Sequence, residues 1–152
     1  MNHWLMKSEP DDCSIDDALA APKRITPWTG VRNYQARNTM RDLMRIGDGV
    51  LFYHSSCAEP GIAGLAEVAS DAHVDPSQFD KKSPYYDPKS GRAVPRWHCV
   101  DVRALKKTRL LPIDEMRAHV ALASMWTLRP GNRLSITPVS AAEWKFICHR
   151  LR

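Results

Sequence analysis

The stretch TPWTGVRNYQARNTMRDLMRIGDGVLFYHSS, residues 26–56, concentrates aromatic rings and hydrogen-bonding side chains in a small part of this 152-residue chain. After Trp28 and a glycine turn at Gly30 comes a group of side-chain donors: Arg32, Asn33, Gln35, Arg37 and Asn38. The stretch closes on a tetrad of ring, imidazole and hydroxyl side chains: Phe52, Tyr53, His54 and Ser55. Rings provide stacking faces and the polar groups can bond to the edges of a flat ligand, which is how unstacked bases are usually recognised. We interpret the stretch as a candidate site, with the alternative that Trp28 belongs to the core.

The same stretch predicts a helix followed by a strand. Ala36, Met40, Leu43 and Met44 have the i, i+4, i+7, i+8 spacing of an amphipathic helix over 33–46, which Gly47 would end. Residues 50–54 are rich in β-forming side chains and predict a strand. The polar side chains of the stretch would therefore lie near the start of a helix and at the end of a strand.

Working outward, the rest of the chain predicts further strands and a few helices. Strands are expected at 3–6, 62–68, 96–105 and 134–136, and helices at 14–21, at 114–119 and after the capping box that begins at Ser140. A proline-rich loop spans 69–95, a length that is usually functional in a compact domain. Strands that follow one another without crossover helices favour an α+β fold with a mostly antiparallel, partly closed sheet.

Length and charge are compatible with one domain, residues 1–152, and with a polyanionic partner. Lys and Arg number 22 against 17 Asp and Glu, which gives a net charge of +5. The first twenty residues are acidic and the segment 89–109 is basic, so a positive face that follows a phosphate backbone is one interpretation of that segment. The alternative is an ordinary solvated surface.

Four cysteines, at 13, 57, 99 and 148, occur without any CxxC pair. This usage favours a reducing, cytoplasmic location, and it predicts neither a metal site nor another cofactor. No window approaches 18 apolar residues and no signal peptide is recognisable, so no membrane association is expected. We also expect a monomer.

Known catalytic motifs are missing from the sequence. There is no GxSxG, GxxxxGK[ST] or HExxH, and Gly47-Asp48-Gly49 lacks the third glycine of a dinucleotide site. His54 beside Ser55 could suggest a base and a nucleophile, but neighbouring strand residues point to opposite faces. No catalytic residue is therefore predicted.

Long motifs along the chain closely resemble the EVE domain family. They run in order over nearly the whole chain: WLMKSEP (4–10), WTGVRNYQARNTMR (28–41), GDGVLFYHS (47–55), PGIAGLAEV (60–68), DPSQFD (75–80), SPYYDPKS (83–90), PRW (95–97) and RLSITPVS (133–140). The resemblance implies a PUA-like fold, a curved β-barrel with peripheral helices, related to YTH, SRA-type and ASCH domains. It also implies a non-catalytic reader that binds a modified base, such as a methylated cytosine, in DNA or RNA.

By motif match, the resemblance places the ligand at the candidate site already described. The expected binding residues are Lys7, Ser8, Trp28, Arg32, Asn33, Tyr34, Asn38, Phe52, Tyr53, His54 and Ser55, with Arg96 and Trp97 at the mouth. A flipped or single-stranded base would enter between Trp28 and the 52–55 strand, with Asn33, Asn38 and Ser55 on its edge and Lys7, Arg32 and Arg96 on phosphate.

Two other functions remain open from the sequence alone. An enzyme acting on a nucleotide or a modified base could use His54 and Lys7 as proton donors. A protein-interaction module could instead use the 69–95 loop.

Overall fold

A computed structural model describes residues 1–152 and shows an α+β fold built on one six-stranded sheet. The strands of the chain are β1 (His3–Ser8), β2 (Ile25–Pro27), β3 (Gly49–His54), β4 (Gly61–Val68), β5 (His73–Val74), β6 (His98–Cys99), β7 (Asp101–Pro112) and β8 (Ile136–Val139). The helices are α1 (Pro10–Cys13), α2 (Ile15–Ala20), α3 (Tyr34–Asn38), α4 (Ile113–Arg117) and α5 (Ala141–Arg150). A π-helical turn, Thr39–Leu43, continues α3, and short 3₁₀ turns connect other elements.

The large sheet has the order β2-β7-β4-β3-β1-β8, and β5 pairs with β6 in a separate two-stranded ribbon. Neighbouring strands are antiparallel except β1 and β3, which run parallel. No ladder joins the outer strands β2 and β8, so the mixed α+β fold is confirmed but closure into a barrel is not.

Both faces of the sheet are covered by core clusters. Because side chains alternate along a strand, successive residues of the central strands face one cluster and then the other. Val50 and Phe52 of β3 face a core cluster that includes Trp28 and Met40. Leu51 and Tyr53 of the same strand face a second cluster, which includes α5. Ser140 and Glu143 form the capping box predicted for α5, and its stripe buries Ile147 and Leu151.

Element boundaries differ from the sequence prediction at several places, of which three bear on the positions of the predicted site residues and of the last strand. The helix predicted over 33–46 is α3 plus the π-helical turn, and it ends with Met44 as its C-cap. The strand predicted over 96–105 is interrupted at Val100 and then continues as β7 to Pro112. The last strand begins at Ile136 rather than 134.

The long loop contains the short strand β5 and a 3₁₀ turn, Pro76–Phe79, and further contacts hold it to the body of the domain. Asp75 and Gln78 are buried within it. The Gln78 amide donates to the backbone oxygens of Asp75 and Trp97, and its Oε1 accepts from the Trp97 N–H and from Ser90. These bonds fix the loop beside residues 28–32, where it can form one wall of a site.

The longest helix, α5, has 10 residues, and none of the helices has the length and apolar character required to cross a lipid bilayer.

Candidate functional site

A cavity of about 690 Å³ opens where the parallel strands β1 and β3 end together. Strand ends leave side chains and backbone groups outside the ladder, and the turn after β2 and the long loop complete the wall. Most lining residues are polar: Lys7, Ser8, Glu9, Asp12, Cys13, Thr26, Pro27, Trp28, Thr29, Gly30, Val31, Arg32, Ser55, Ser56, Tyr85, Arg133 and Ser135.

Two of the lining cations have no ion-pair partner. Lys7 is half-buried at the end of β1, and burial lowers the pKa of its ammonium from the ordinary value. Arg133, just before β8, is exposed and forms no side-chain hydrogen bond or salt bridge. Both cations are therefore available to an anionic group of a ligand.

Trp28 contributes to the core as well as to the cavity. Its side chain is only 6% exposed, and its ring meets Phe52 edge to face with centroids 5.4 Å apart. The alternative assignment of Trp28 to the core is thus largely correct, since the ring offers a ligand in the cavity only a small area.

Arg32, the third lining cation, is held by the long loop. Its guanidinium lies 3.1 Å from the Asp75 carboxylate and donates to the Tyr85 backbone oxygen and to Ser77. Burial alone would raise the pKa of Asp75, but hydrogen bonds from Ser77, Gly30 and Arg32 outweigh it and lower that pKa. This buried carboxylate joins the turn at Gly30 to the loop wall.

Tyr85 forms one side of the opening. Its hydroxyl donates to Asp12 Oδ2 at 2.9 Å, so the long loop is bound to α1 across the cavity. Gly30 makes the packing possible, because a Cβ there would lie 2.7 Å from the Tyr85 ring. Gly30 also has φ +86°, a left-handed conformation that favours glycine.

The structure brings only part of the predicted residue set together. The lining includes Lys7, Ser8, Trp28, Arg32 and Ser55. Ser8 donates to the Cys13 backbone oxygen at 2.6 Å, and the Ser55 N–H donates to the Ser8 oxygen. These five residues therefore surround a common space.

The other tetrad residues are packed on the two faces of the sheet. Phe52 and Tyr53 are buried in opposite core clusters. His54 Nε2 accepts a hydrogen bond from the Ile15 backbone N–H at 3.0 Å, and burial lowers the pKa of its imidazole. Lys7 lines the cavity and His54 does not. The two proton donors that the enzyme alternative requires therefore do not share this site.

The remaining predicted residues, Asn33, Tyr34, Asn38, Arg96 and Trp97, lie outside the cavity lining. Tyr34 stacks on Trp97 with centroids 4.8 Å apart, and Arg37 lies over the Tyr34 ring. Trp97 donates to Asp87 at 2.8 Å, and Arg96 is near the same carboxylate.

The two asparagines of this group are also engaged within the protein. Asn33 is the N-cap of α3, because its side chain accepts from the Ala36 N–H. Asn38 Oδ1 accepts from Arg37 and Arg41. The exposed Asn33, Asn38 and Tyr34 form a second surface with the half-buried Arg96, and the buried Trp97 supports it through its stack with Tyr34.

Sequence reasoning missed Asp12, Arg133 and Ser135 as lining residues. The signal for Arg133 and Ser135 was their position directly before a strand in the motif RLSITPVS. Nothing in the sequence alone indicates that Tyr85 reaches Asp12, which is 73 residues away along the chain.

One cluster outside the cavity has the composition of a catalytic triad without its geometry. His73 Nε2 lies 2.8 Å from Asp101 Oδ1, and Cys99 Sγ is 3.7 Å from both ring nitrogens. Burial raises the pKa of the Cys99 thiol to about 12, so the thiolate that would act as a nucleophile is disfavoured.

Comparisons with known proteins find relatives that match almost the whole chain. The EVE domain model matches residues 2–150. Thymocyte nuclear protein 1 of Homo sapiens is 43% identical over 164 residues, covering 96% of this chain and 72% of that protein.

Solved structures of similar proteins cover almost the entire chain. A hypothetical protein from Leishmania major has a TM-score of 0.93 at 44% identity, covering 99% of this chain and 94% of that one. Human THYN1 protein, in a crystal structure in complex with 5-methylcytosine containing DNA, has a TM-score of 0.92 at 40% identity, covering 100% of this chain and 98% of that one. An ASCH protein from Zymomonas mobilis, at 10% identity and a TM-score of 0.60, shares the fold alone. This chain belongs to the EVE domain family.

Proposed function

We propose that this protein binds DNA that carries a modified base such as 5-methylcytosine, and that the base enters the cavity at the ends of β1 and β3. The observation that carries the proposal is the polar cavity itself, in which two unpaired cations, Lys7 and Arg133, accompany ring surface from Trp28 and Tyr85. The complex of human THYN1 with 5-methylcytosine containing DNA supports the choice of ligand.

The chemistry of the lining fits a nucleotide better than an apolar ligand. A volume of about 690 Å³ is within the range of small-molecule sites. The two free cations can contact phosphate, while the Ser55 and Ser56 side chains and the backbone at Gly30 offer groups to a base edge. Since single-stranded and flipped bases expose a ring face, the Tyr85 ring provides a wall on which stacking would occur.

Selectivity for a methyl group should be modest. A buried methyl group contributes about 0.8 kcal/mol, which corresponds to roughly fourfold in affinity. The apolar side chains in the lining, such as Val31 and Trp28, supply the surface against which that methyl would be buried.

The second surface, around Tyr34 and Trp97, would contribute to DNA contact in this proposal. Arg32 connects the two regions, because it lines the cavity and its guanidinium also lies 5.2 Å from the Trp97 ring centroid. Phosphates that flank the bound base would reach the arginines of this surface, Arg37 and Arg96.

A fluorescence anisotropy titration tests the proposal, using matched single-stranded and duplex oligonucleotides with and without 5-methylcytosine and an RNA of the same sequence, at two salt concentrations. We expect tighter binding of the modified DNA at both salts. Equal affinity for modified and unmodified strands, together with a steep loss of affinity as the salt concentration rises, would reduce the function to binding of the phosphate backbone.

The variant that tests the cavity is Lys7→Met, with Lys145→Met as its control. Both changes remove one positive charge, but Lys145 is exposed on α5 and lies outside the cavity. Trp28→Ala is a poorer test, because truncating a buried tryptophan costs about 3–5 kcal/mol of stability and would confuse folding with binding.

A further inference from the structure

The cavity has an acidic side that a purely phosphate-binding site would not need. Glu9 and Asp12 line it together with the cations Lys7 and Arg133. Carboxylates beside a polyanion are repulsive, so a ligand that binds here should present a hydrogen-bond donor to them. The phosphate groups of DNA carry no such donor, whereas the edges of some bases do.

Asp12 is the better positioned of the two carboxylates. Its Oδ2 accepts from the Tyr85 hydroxyl at 2.9 Å, and its Oδ1 has no hydrogen-bond partner in the protein. One oxygen is therefore used to orient the carboxylate, and the other is available to a ligand. Glu9 is exposed and has no side-chain hydrogen bond that would fix it.

The orientation of Asp12 is connected to the buried part of the site. Tyr85 is held through its backbone oxygen by Arg32, at 2.7 Å and 3.0 Å, and Arg32 is held by the buried Asp75. The Tyr85 ring also packs directly on Gly30. This series of contacts fixes a side chain that is itself exposed, as preorganised recognition requires.

The N4 amino group of cytosine is the donor that an aspartate typically accepts from, whereas thymine presents the O4 carbonyl at the same edge. Because 5-methylcytosine and thymine carry the same methyl group at C5, apolar contacts cannot distinguish them. Resting on the function proposed above, we propose that Asp12 accepts a hydrogen bond from the N4 amino group of the bound base and so selects 5-methylcytosine over thymine.

The test compares oligonucleotides that differ only in one base: 5-methylcytosine, cytosine or thymine. We expect the wild-type protein to bind 5-methylcytosine at least about fivefold more tightly than thymine. In Asp12→Ala that ratio should fall to about one, while the ratio of 5-methylcytosine to cytosine is retained. Ratios are the readout because loss of a negative charge raises affinity for every strand.

Three further variants separate the role of Asp12 from general effects. Asp71→Ala removes the same charge at an exposed site outside the cavity and should leave both ratios unchanged. Tyr85→Phe removes the bond that orients Asp12 and should lower the preference over thymine without changing net charge. Asp12→Asn, which keeps an acceptor oxygen, should retain part of the preference.

The outcomes separate the two proposals. Equal binding of 5-methylcytosine and thymine by the wild-type protein, or an unchanged ratio in Asp12→Ala, would overturn the role of Asp12 and leave the proposed function intact. Equal binding of 5-methylcytosine and cytosine would overturn the modified-base function, while the thymine arm still decides the role of Asp12. Absence of binding to any strand would overturn both.

Discussion

The half-buried position of the Lys7 ammonium is unfavourable for folding, but it is favourable for binding an anionic group of a ligand. Burial lowers the pKa of its ammonium, which means that the folded protein binds this proton less tightly than the unfolded chain does. The ammonium therefore keeps its charge at a cost in folding free energy, and no nearby carboxylate offsets that cost. Such a group is typical of a site that completes its electrostatics with a ligand.

We therefore predict that Lys7→Met leaves the free energy of unfolding unchanged or raises it at neutral pH, while DNA affinity falls several-fold. Urea unfolding and anisotropy titration measure the two quantities, with Lys145→Met as the charge-matched control. A variant that loses stability and keeps its affinity would show that Lys7 is structural.

Gly30 is the second residue whose chemistry decides the site. Gly30→Ala would place a methyl group 2.7 Å from the Tyr85 ring at a φ of +86°. We expect a loss of about 1–3 kcal/mol in stability, as is usual for a strained backbone, together with weaker binding because Tyr85 must move.

Gly91→Ala is the matched control, since Gly91 lies in the long loop that carries Tyr85, has no positive φ and has open space around its Cβ position. Thermal melting and titration of both variants give the comparison. Equal behaviour of the two alanine variants would contradict a special role for Gly30.

At the scale of elements, His54 connects the end of β3 to the start of α2. Its Nε2 accepts from the Ile15 N–H, and this bond requires an unprotonated nitrogen. Because the pKa of His54 in the folded protein is below 6.5, the unfolded chain binds the proton first as pH falls. The stabilisation is complete above about pH 6.5 and is lost as pH falls through the folded pKa.

We predict that His54→Gln, whose amide oxygen can accept the same bond, makes stability less dependent on pH between about 7.5 and 5. Urea unfolding at a series of pH values checks this. The lowered pKa values of His3 and His98 remain in both proteins, so the difference between the two profiles is the readout. Parallel profiles of stability against pH in the two proteins would contradict the assignment of this pH dependence to His54.

Sequence patterns predicted elements well where they reflect local periodicity. The capping box at Ser140 and the alternation in β3 are local signals, and both appear in the structure. The helix after Asn33 was predicted too long because Met44 already has an extended backbone, and residues 39–43 form a π-helical turn that changes the face each side chain presents. Motif match placed Asn33, Tyr34 and Asn38 beside a ligand in the prediction, whereas in the structure they lie outside the cavity lining.

The rest of the site depends on contacts between distant segments. Asp12 meets Tyr85 across 73 residues, and Arg32 meets Asp75 across 43. A single sequence carries no periodic signal for such pairs. The resemblance to a family predicted where a ligand would bind, and the structure shows which residues line the candidate cavity there.

For the whole molecule, the separation of charge predicted from the sequence is reduced by pairing. Cations of the basic segment bond to acids elsewhere in the chain, as in the pairs Arg103–Glu67, Lys107–Asp16 and Arg109–Glu115. The three paired cations of this segment are therefore poorer candidates for phosphate contacts than the unpaired cations of the cavity.

The salt dependence of DNA affinity tests whether the cavity cations or the paired cations of β7 contact phosphate. For single strands, each phosphate contact contributes about 0.7 to the slope of log K against log salt. We predict that Arg133→Ala lowers the slope by about this amount, while Lys107→Ala, at a paired and exposed site, leaves it almost unchanged. The reverse result would place the phosphate contacts on β7.

The central claim, that a modified base enters the cavity at the ends of β1 and β3, is tested most directly by amide chemical-shift mapping. The titrants are a single-stranded DNA with one 5-methylcytosine and the same strand with cytosine. We predict that the amides of Gly30, Ser55 and Ser56 shift, and that they shift differently with the two strands. Identical shifts for both strands, confined to residues outside the cavity, would contradict the account.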